Sequence, residues 1–168
     1  MGDDASTVHR IRDARPDEAA ALASLQRRAS DVWEEYRADL AANPGVIQPP
    51  HQAIAEGRVR VAVAGSGRRL GFSVALAAEG GRVELDDLFV EPDAMGRGVG
   101  RLLVADVVSR AAAADATRID VTANPNAVGF YERVGFRVTG DVPTLFGRGI
   151  RMRLDLSPAM RSTSLPCP

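Results

Sequence analysis

Gly96, Gly98 and Gly100 occupy alternate positions in Met95-Gly96-Arg97-Gly98-Val99-Gly100-Arg101. An apolar run ending in Leu88-Phe89-Val90 precedes them, a turn at Glu91-Pro92-Asp93 leads in, and an amphipathic stretch from Val99 follows. Glycines bare the backbone N–H groups, and a helix start presents such groups at the positive end of its dipole. That combination suits a diphosphate. Each glycine weakens a helix start by up to ~1 kcal/mol, so three of them in five residues argue for a ligand.

The spacing narrows the ligand. A dinucleotide fingerprint needs G-x-G-x-x-G and an acidic residue closing the next strand. Here the pattern is G-x-G-x-G, and Asp120 falls inside its strand. The Walker loop needs Gly-Lys-Ser/Thr, which does not occur. Upstream, alternation along Arg82–Val90 puts Glu84, Asp86, Leu88 and Val90 on one face and Val83, Leu85, Asp87 and Phe89 on the other. Two carboxylates on one face would draw a cationic amine.

These residues need elements to position them. The pattern predicts a strand at Val8–Arg12 and a helix from Pro16 to about Ala29, with Leu22, Leu25 and Ala29 on its inner face. A second helix is expected over Asp31–Ala41, its Val32, Trp33, Tyr36 and Leu40 spaced to pack into the core. Asn43-Pro44-Gly45 stops it, and a short helix at His51–Glu56 follows the Pro49-Pro50 loop. Strands are expected at Val59–Ala64, Gly71–Ala78 and Arg82–Val90, separated by Gly65-Ser66-Gly67 and Glu79-Gly80-Gly81. After the glycine loop come a helix at Val99–Ala114, a strand at Arg118–Ala123, a helix at Asn126–Val134, and strands at Phe136–Val142 and Ile150–Leu156. The fold class is therefore α/β: a mixed, mostly antiparallel sheet flanked by helices, in the order β-α-α-β-β-β-α-β-α-β-β. Residues 1–156 read as a single domain. From Ser157 onward Pro, Ser and Thr predict a disordered tail, 157–168.

With 168 residues the chain can bury a core without staples. A net charge of −1 offers no field for nucleic acid or an anionic membrane. One cysteine, Cys167, and two histidines, His9 and His51, leave no disulfide framework and no expected metal site. Gly2 and Ser6 match the loose myristoylation pattern, but Asp3, Asp4 and the lack of a basic patch argue against an anchor. With no secretion signal and no span-length apolar run, a cytoplasmic protein is expected.

Leu88–Leu103 resembles the acetyl-CoA-binding motif of the GCN5-related N-acetyltransferases. Asn124-Pro125-Asn126-Ala127-Val128-Gly129-Phe130-Tyr131-Glu132-Arg133-Val134-Gly135-Phe136 resembles that family's next motif, one helix and one strand later. The element order over residues 8–156 is also similar to that fold. The resemblance implies an acetyl-CoA-dependent N-acetyltransferase acting on a primary amine by direct transfer, with acetyl-CoA as donor and no metal. A cysteine relay is not expected, since neither motif contains a cysteine.

Carried over residue by residue, the backbone of Leu88, Phe89 and Val90 would pair with the pantetheine arm. Met95, Gly96, Arg97, Gly98, Val99, Gly100 and Arg101 would hold the diphosphate, and Asn124 would touch the arm. Tyr131 would protonate the departing sulfur. Glu84, or water ordered by it, would take the amine proton. Met95 departs from the pattern, which has Gln or Arg there, so a polar contact is lost while the backbone contacts stay. The acceptor remains open between a small molecule, a peptide and a protein tail, and family members often form homodimers. A non-catalytic acyl-CoA-binding domain is the reading from another class.

Overall fold

In Arg82–Val90 an alternating start, Arg82–Asp86, and an apolar end, Leu88–Val90, set a nine-residue strand with Val83 and Leu85 buried. The computed structural model describes residues 7–161. Its elements are β1 (Val8–Asp13), α1 (Ala19–Ser30), α2 (Glu34–Ala42), α3 (His51–Ala55), β2 (Val59–Ala64), β3 (Arg69–Ala75), β4 (Arg82–Val90), α4 (Val99–Ala113), β5 (Arg118–Ala123), α5 (Val128–Arg133), β6 (Arg137–Thr144), β7 (Gly147–Asp155) and α6 (Pro158–Arg161). The strand order is β1-β2-β3-β4-β5-β7-β6. Four pairings, β1–β2, β2–β3, β5–β7 and β6–β7, are antiparallel, while β4–β5 is parallel. This is the mixed, mostly antiparallel α/β architecture expected from the sequence.

The described residues form two compact units. The first comprises residues 7–74 and 87–103. Here Leu22 and Leu25 of α1 pack with Ile54 of α3, with Val59, Val61 and Val63 of β2, and with Phe72 and Val74 of β3; Phe89 joins this cluster. On the opposite side of β2 and β3, Ala62, Leu70, Ala94, Val99 and Leu103 form a second cluster, to which Leu88 and Val90 add. Successive side chains of β4 thus go to opposite faces, as strand geometry requires. Gly71 permits the close packing: a Cβ there would lie 2.7 Å from the Phe89 carbonyl oxygen and 3.2 Å from Val99 and Leu103 side-chain atoms.

Glu18 anchors the first unit. Its buried carboxylate accepts from Arg12 (2.8 and 2.9 Å), from the Arg15 N–H (2.8 Å) and from Arg69 (3.2 Å). The hydrogen bonds from Arg12, against the opposing effect of burial, hold its pKa down at about 2. The second unit comprises residues 75–86 and 104–161. There the parallel register runs Arg82↔Arg118 to Leu85↔Val121, and β7 lies antiparallel to both β5 and β6. Val107, Ala111, Ile119, Val121 and Met152 are buried.

Several boundaries differ from expectation. α2 begins at Glu34 rather than Asp31, because Asp31 caps α1 (N–H to Arg27 carbonyl, 2.9 Å) and Trp33 is extended. No residue of α2 is buried, so Trp33, Tyr36 and Leu40 are half-exposed surface rather than core. β3 starts two residues early, at Arg69, since the hairpin closes on Ala64 and Arg68 (2.9 Å). β6 runs on through Pro143 to Thr144 and β7 begins at Gly147; an edge strand tolerates the proline. α6 adds a helical turn at Pro158–Arg161, where the composition predicts none. Cys167, Gly2 and Ser6 lie outside the described residues.

Candidate active site

In the first unit the glycine loop hangs from a braced root. The Glu91 N–H donates to the Leu70 carbonyl (2.8 Å), and its carboxylate takes Arg28 of α1 in a two-pronged pair, with Nε at 3.1 Å. Asp93 accepts from Arg68 Nη2 on both carboxylate oxygens (2.7 and 2.8 Å), and these bonds hold its carboxyl below the ordinary range. Ala94 is fully buried at the end of the turn. Beyond it the chain turns outward: Met95 is extended and 38% exposed, and Gly96, Arg97, Gly98 and Arg101 are exposed.

Gly96 and Gly98 have φ of +75° and +85°. Among the described residues no heavy atom lies within 4 Å of a Cβ built at either position. Backbone conformation, not crowding, therefore demands glycine. The Leu102 N–H donates to the Gly98 carbonyl (3.1 Å), so the N–H groups of residues 96–101 lie ahead of the helical ladder of α4. Val99 is buried and roots the helix. Upstream, Leu88 and Val90 face one cluster, and Phe89 faces the other against Phe72 (ring centroids 5.6 Å). With the side chains committed to packing, the main chain is what these three residues offer a ligand.

The second unit carries the titratable side chains. Across β4, β5 and β7, Arg151 Nη1 donates to Glu84 Oε1 and to Thr122 Oγ1, each at 2.6 Å, and Nη2 donates to Glu84 Oε2 at 3.3 Å. The hydrogen bond with Glu84, over the opposing effect of burial, raises the Arg151 pKa. Glu84 keeps 17% of its side chain accessible. Thr122 and Arg151 are register partners, as are Glu84 and Asp120. Asp120 is buried; burial pushes its carboxyl up, but the bond from Arg153 (2.9 Å) and the charge of Arg153 and Arg118 prevail and lower it. Asp86 stands exposed on the strand.

Tyr131 lies in α5 with its ring held on two edges, against Phe130 (5.1 Å, 69°) and Phe136 (5.3 Å, 72°). It is only 6% exposed. The helix closes behind it, with the Phe136 N–H on the Tyr131 carbonyl (2.9 Å) and Gly135 at φ +100°. Asn124 Oδ1 accepts from the Asn126 N–H (2.9 Å) and caps the turn. Arg151 is the residue that sequence reasoning missed: it is 67 positions from Glu84, and only the strand register joins them.

Among the described residues no group of three His, Cys, Asp or Glu is placed to hold a metal ion, and no helix is long and apolar enough to cross a membrane. The sequence profile of the acetyltransferase (GNAT) domain matches residues 33–154. Peptidyl-lysine N-acetyltransferase YjaB of Salmonella typhimurium is 33% identical over 135 residues, spanning 77% of this chain and 84% of the relative. The protein of the same name from Escherichia coli is 34% identical over 135 residues, spanning 77% of this chain and 83% of its own. The structure of PaiA N-acetyltransferase from Thermoplasma acidophilum, in complex with coenzyme A, matches with a TM-score of 0.72. That match covers 88% of this chain and 98% of the other at 17% identity, a likeness of fold.

Proposed function

The chain belongs to the GNAT family of acetyl-CoA-dependent acetyltransferases, and we propose that its acceptor is the primary amine of a lysine side chain in a peptide. One observation carries the choice of acceptor: the two relatives that match most of this chain, and most of their own length, bear the name peptidyl-lysine N-acetyltransferase.

In this reading the first unit holds the donor with its main chain. The N–H groups from Gly96 to Arg101 take the diphosphate, with Arg97 and Arg101 adding charge. The backbone of Leu88, Phe89 and Val90 takes the pantetheine arm, and one N–H there polarises the thioester carbonyl. A single such donor is worth about 10²–10³ in rate. Met95 adds no hydrogen bond, so the load falls on the amides.

The second unit supplies the proton chemistry. A lysine amine, with an ordinary pKa near ~10.4, must lose a proton before or during attack. Both oxygens of Glu84 are engaged by Arg151, so Glu84 acts by ordering the water that receives this proton. The amine nitrogen then bonds to the acetyl carbon, the carbon–sulfur bond breaks, and the Tyr131 hydroxyl protonates the sulfur. The ammonium proton leaves through that water to solvent, and the second proton, shed by nitrogen as the amide forms, passes through water and replaces the one Tyr131 gives up. The products are the amide and free coenzyme A, with no acyl-enzyme in between.

Thiol release measured with a lysine-containing peptide, a linear polyamine and no acceptor tests the proposal. The peptide should support turnover, with one acetyl group found on its lysine by mass spectrometry. Turnover confined to the polyamine would overturn the peptide assignment.

A further inference from the structure

The first unit contains a cleft of about 400 Å³ that none of the residues assigned to acetyl transfer lines. Ser24, Leu25 and Arg28 of α1 form one wall, Arg68 and Arg69 of the β2–β3 hairpin another, and Glu91 closes it. Three guanidinium groups thus meet one carboxylate. Arg28 and Glu91 offset each other, and Arg68 is offset by Asp93 outside the lining. Arg69 has only a share in Glu18, whose carboxylate also serves Arg12 and Arg15. Asp17 lies 3.7 Å from Arg15. Three lining arginines thus outnumber the one lining carboxylate, and since Glu18 beside them is shared among three arginines the cleft is cationic.

The arginines are also held in place. Glu91, Asp93 and Glu18 fix the three planar forks, and such forks match a carboxylate or phosphate with two parallel hydrogen bonds. Arg69 uses Nη1 on Glu18, so Nε and Nη2 remain as donors; Arg28 uses Nε and Nη2 on Glu91, so Nη1 remains. Leu25 lends the floor an apolar surface. The volume falls in the range of small-molecule sites, about 300–1,000 Å³.

We propose that this cleft binds a small organic anion, a carboxylate or phosphate carried on a compact apolar body, at a site separate from acetyl transfer. Binding also reaches the glycine loop. An anion that engages Arg28 competes with Glu91, whose N–H ties the end of β4 to Leu70 and whose carbonyl accepts the Ala94 N–H (2.9 Å). Occupancy therefore changes KM for acetyl-CoA more than kcat. This second consequence rests on the donor role given to the loop above; the binding itself does not.

Calorimetric titration of the full chain without coenzyme A tests the site, using phenyl phosphate, benzoate, inorganic phosphate and benzylamine. Phenyl phosphate or benzoate should bind, whichever does so tighter identifying the anionic group, and benzylamine should not. Arg69→Gln should weaken binding about tenfold or more, the loss expected for a charge-assisted hydrogen bond. Ser24→Tyr, which fills the cleft and keeps every arginine, should weaken it as much and decides the matter if Arg69→Gln unfolds. No anion binding, equal binding of benzylamine, or binding indifferent to Ser24→Tyr would overturn the proposal. Binding lost in Gly98→Val but kept in Ser24→Tyr would put the anion on the glycine loop, which also overturns it. An unchanged KM for acetyl-CoA at saturating anion would overturn the coupling.

Discussion

The two units hold their parts of the proposed chemistry by different means. In the first, the groups we propose for acetyl-CoA are backbone amides, set by two glycines at positive φ and by a loop root braced with ion pairs. In the second, they are side chains: Tyr131 wedged between two phenyl rings, and Glu84 clamped by Arg151. A backbone cradle depends on conformation and tolerates changes of side chain. A side-chain site depends on the atom at the end of each residue. Substitutions should therefore act on KM in the first unit and on kcat in the second.

The largest expected effect on turnover is in the second unit. Tyr131→Phe keeps both ring contacts and removes only the hydroxyl, so it should lower kcat by about 10²-fold or more, the usual worth of a general acid. KM for acetyl-CoA should stay within about twofold. Steady-state kinetics reads both. A loss of donor affinity with kcat intact would mean that the ring serves only for packing and would erase the contrast between the units.

A second effect separates a structural carboxylate from the one proposed to act in the reaction. Glu18 and Glu84 both meet arginine, but Glu18 has 2% of its side chain accessible and three arginines, whereas Glu84 has 17% and one. Glu18 titrates at about 2 in the folded chain against an ordinary 4.5. A carboxylate with a lowered folded pKa stabilises above its unfolded pKa and loses that contribution as pH falls through the folded one. The contribution is on the order of 3 kcal/mol, fully present above about pH 4.5 and fading toward pH 2. Urea melts across that window should show the decline in the native chain and a flatter profile in Glu18→Gln. Glu18→Gln should cost about 3–5 kcal/mol at neutral pH, since three guanidinium groups lose their shared partner. An equal loss of stability in Glu84→Gln would show that exposure does not distinguish the two roles.

A smaller effect belongs to the loop. A β-branched residue at Gly98 must adopt φ near +85°, a strain of about 1–3 kcal/mol. Gly98→Val should therefore raise KM for acetyl-CoA about tenfold with kcat changed much less, provided the loop relaxes out of its binding geometry. Since no described atom crowds that position, Gly98→Ala should have the milder form of the same defect. A kcat defect without a KM change would contradict the backbone-cradle account.

Legibility in the sequence follows the same divide. The bounds expected for β4 and β5 coincide with those observed, and α4 ends one residue early, because glycine, proline and the alternation over Arg82–Asp86 and Arg118–Ala123 mark those segments locally. The glycine loop is local too, so its conformation could be expected from spacing alone. Arg151 could not. Its place beside Glu84 depends on the Thr122–Arg151 register of β5 with β7 and on the parallel register of β4 with β5, none of which is written near either residue. The half-exposed α2 escaped for a related reason: helical spacing of Trp33, Tyr36 and Leu40 predicts a face, but burial depends on what the rest of the chain places against it.

The smallest expected effect is the sharpest test of the comparison. Met95 stands where the family pattern has a polar residue, and it lies in extended backbone with 38% of its surface exposed. If the amides of residues 96–101 carry the diphosphate, a glutamine at 95 adds at most one hydrogen bond to an already satisfied, solvent-exposed anion. Such a bond contributes roughly 1.5–3 kcal/mol when water is excluded and much less where water competes, as it does at this exposed position. Met95→Gln should thus lower KM for acetyl-CoA by no more than about threefold and leave kcat and thermal stability unchanged. A tenfold gain would mean that the cradle is incomplete without a side chain at 95, and the division between a backbone unit and a side-chain unit would fail at its first residue.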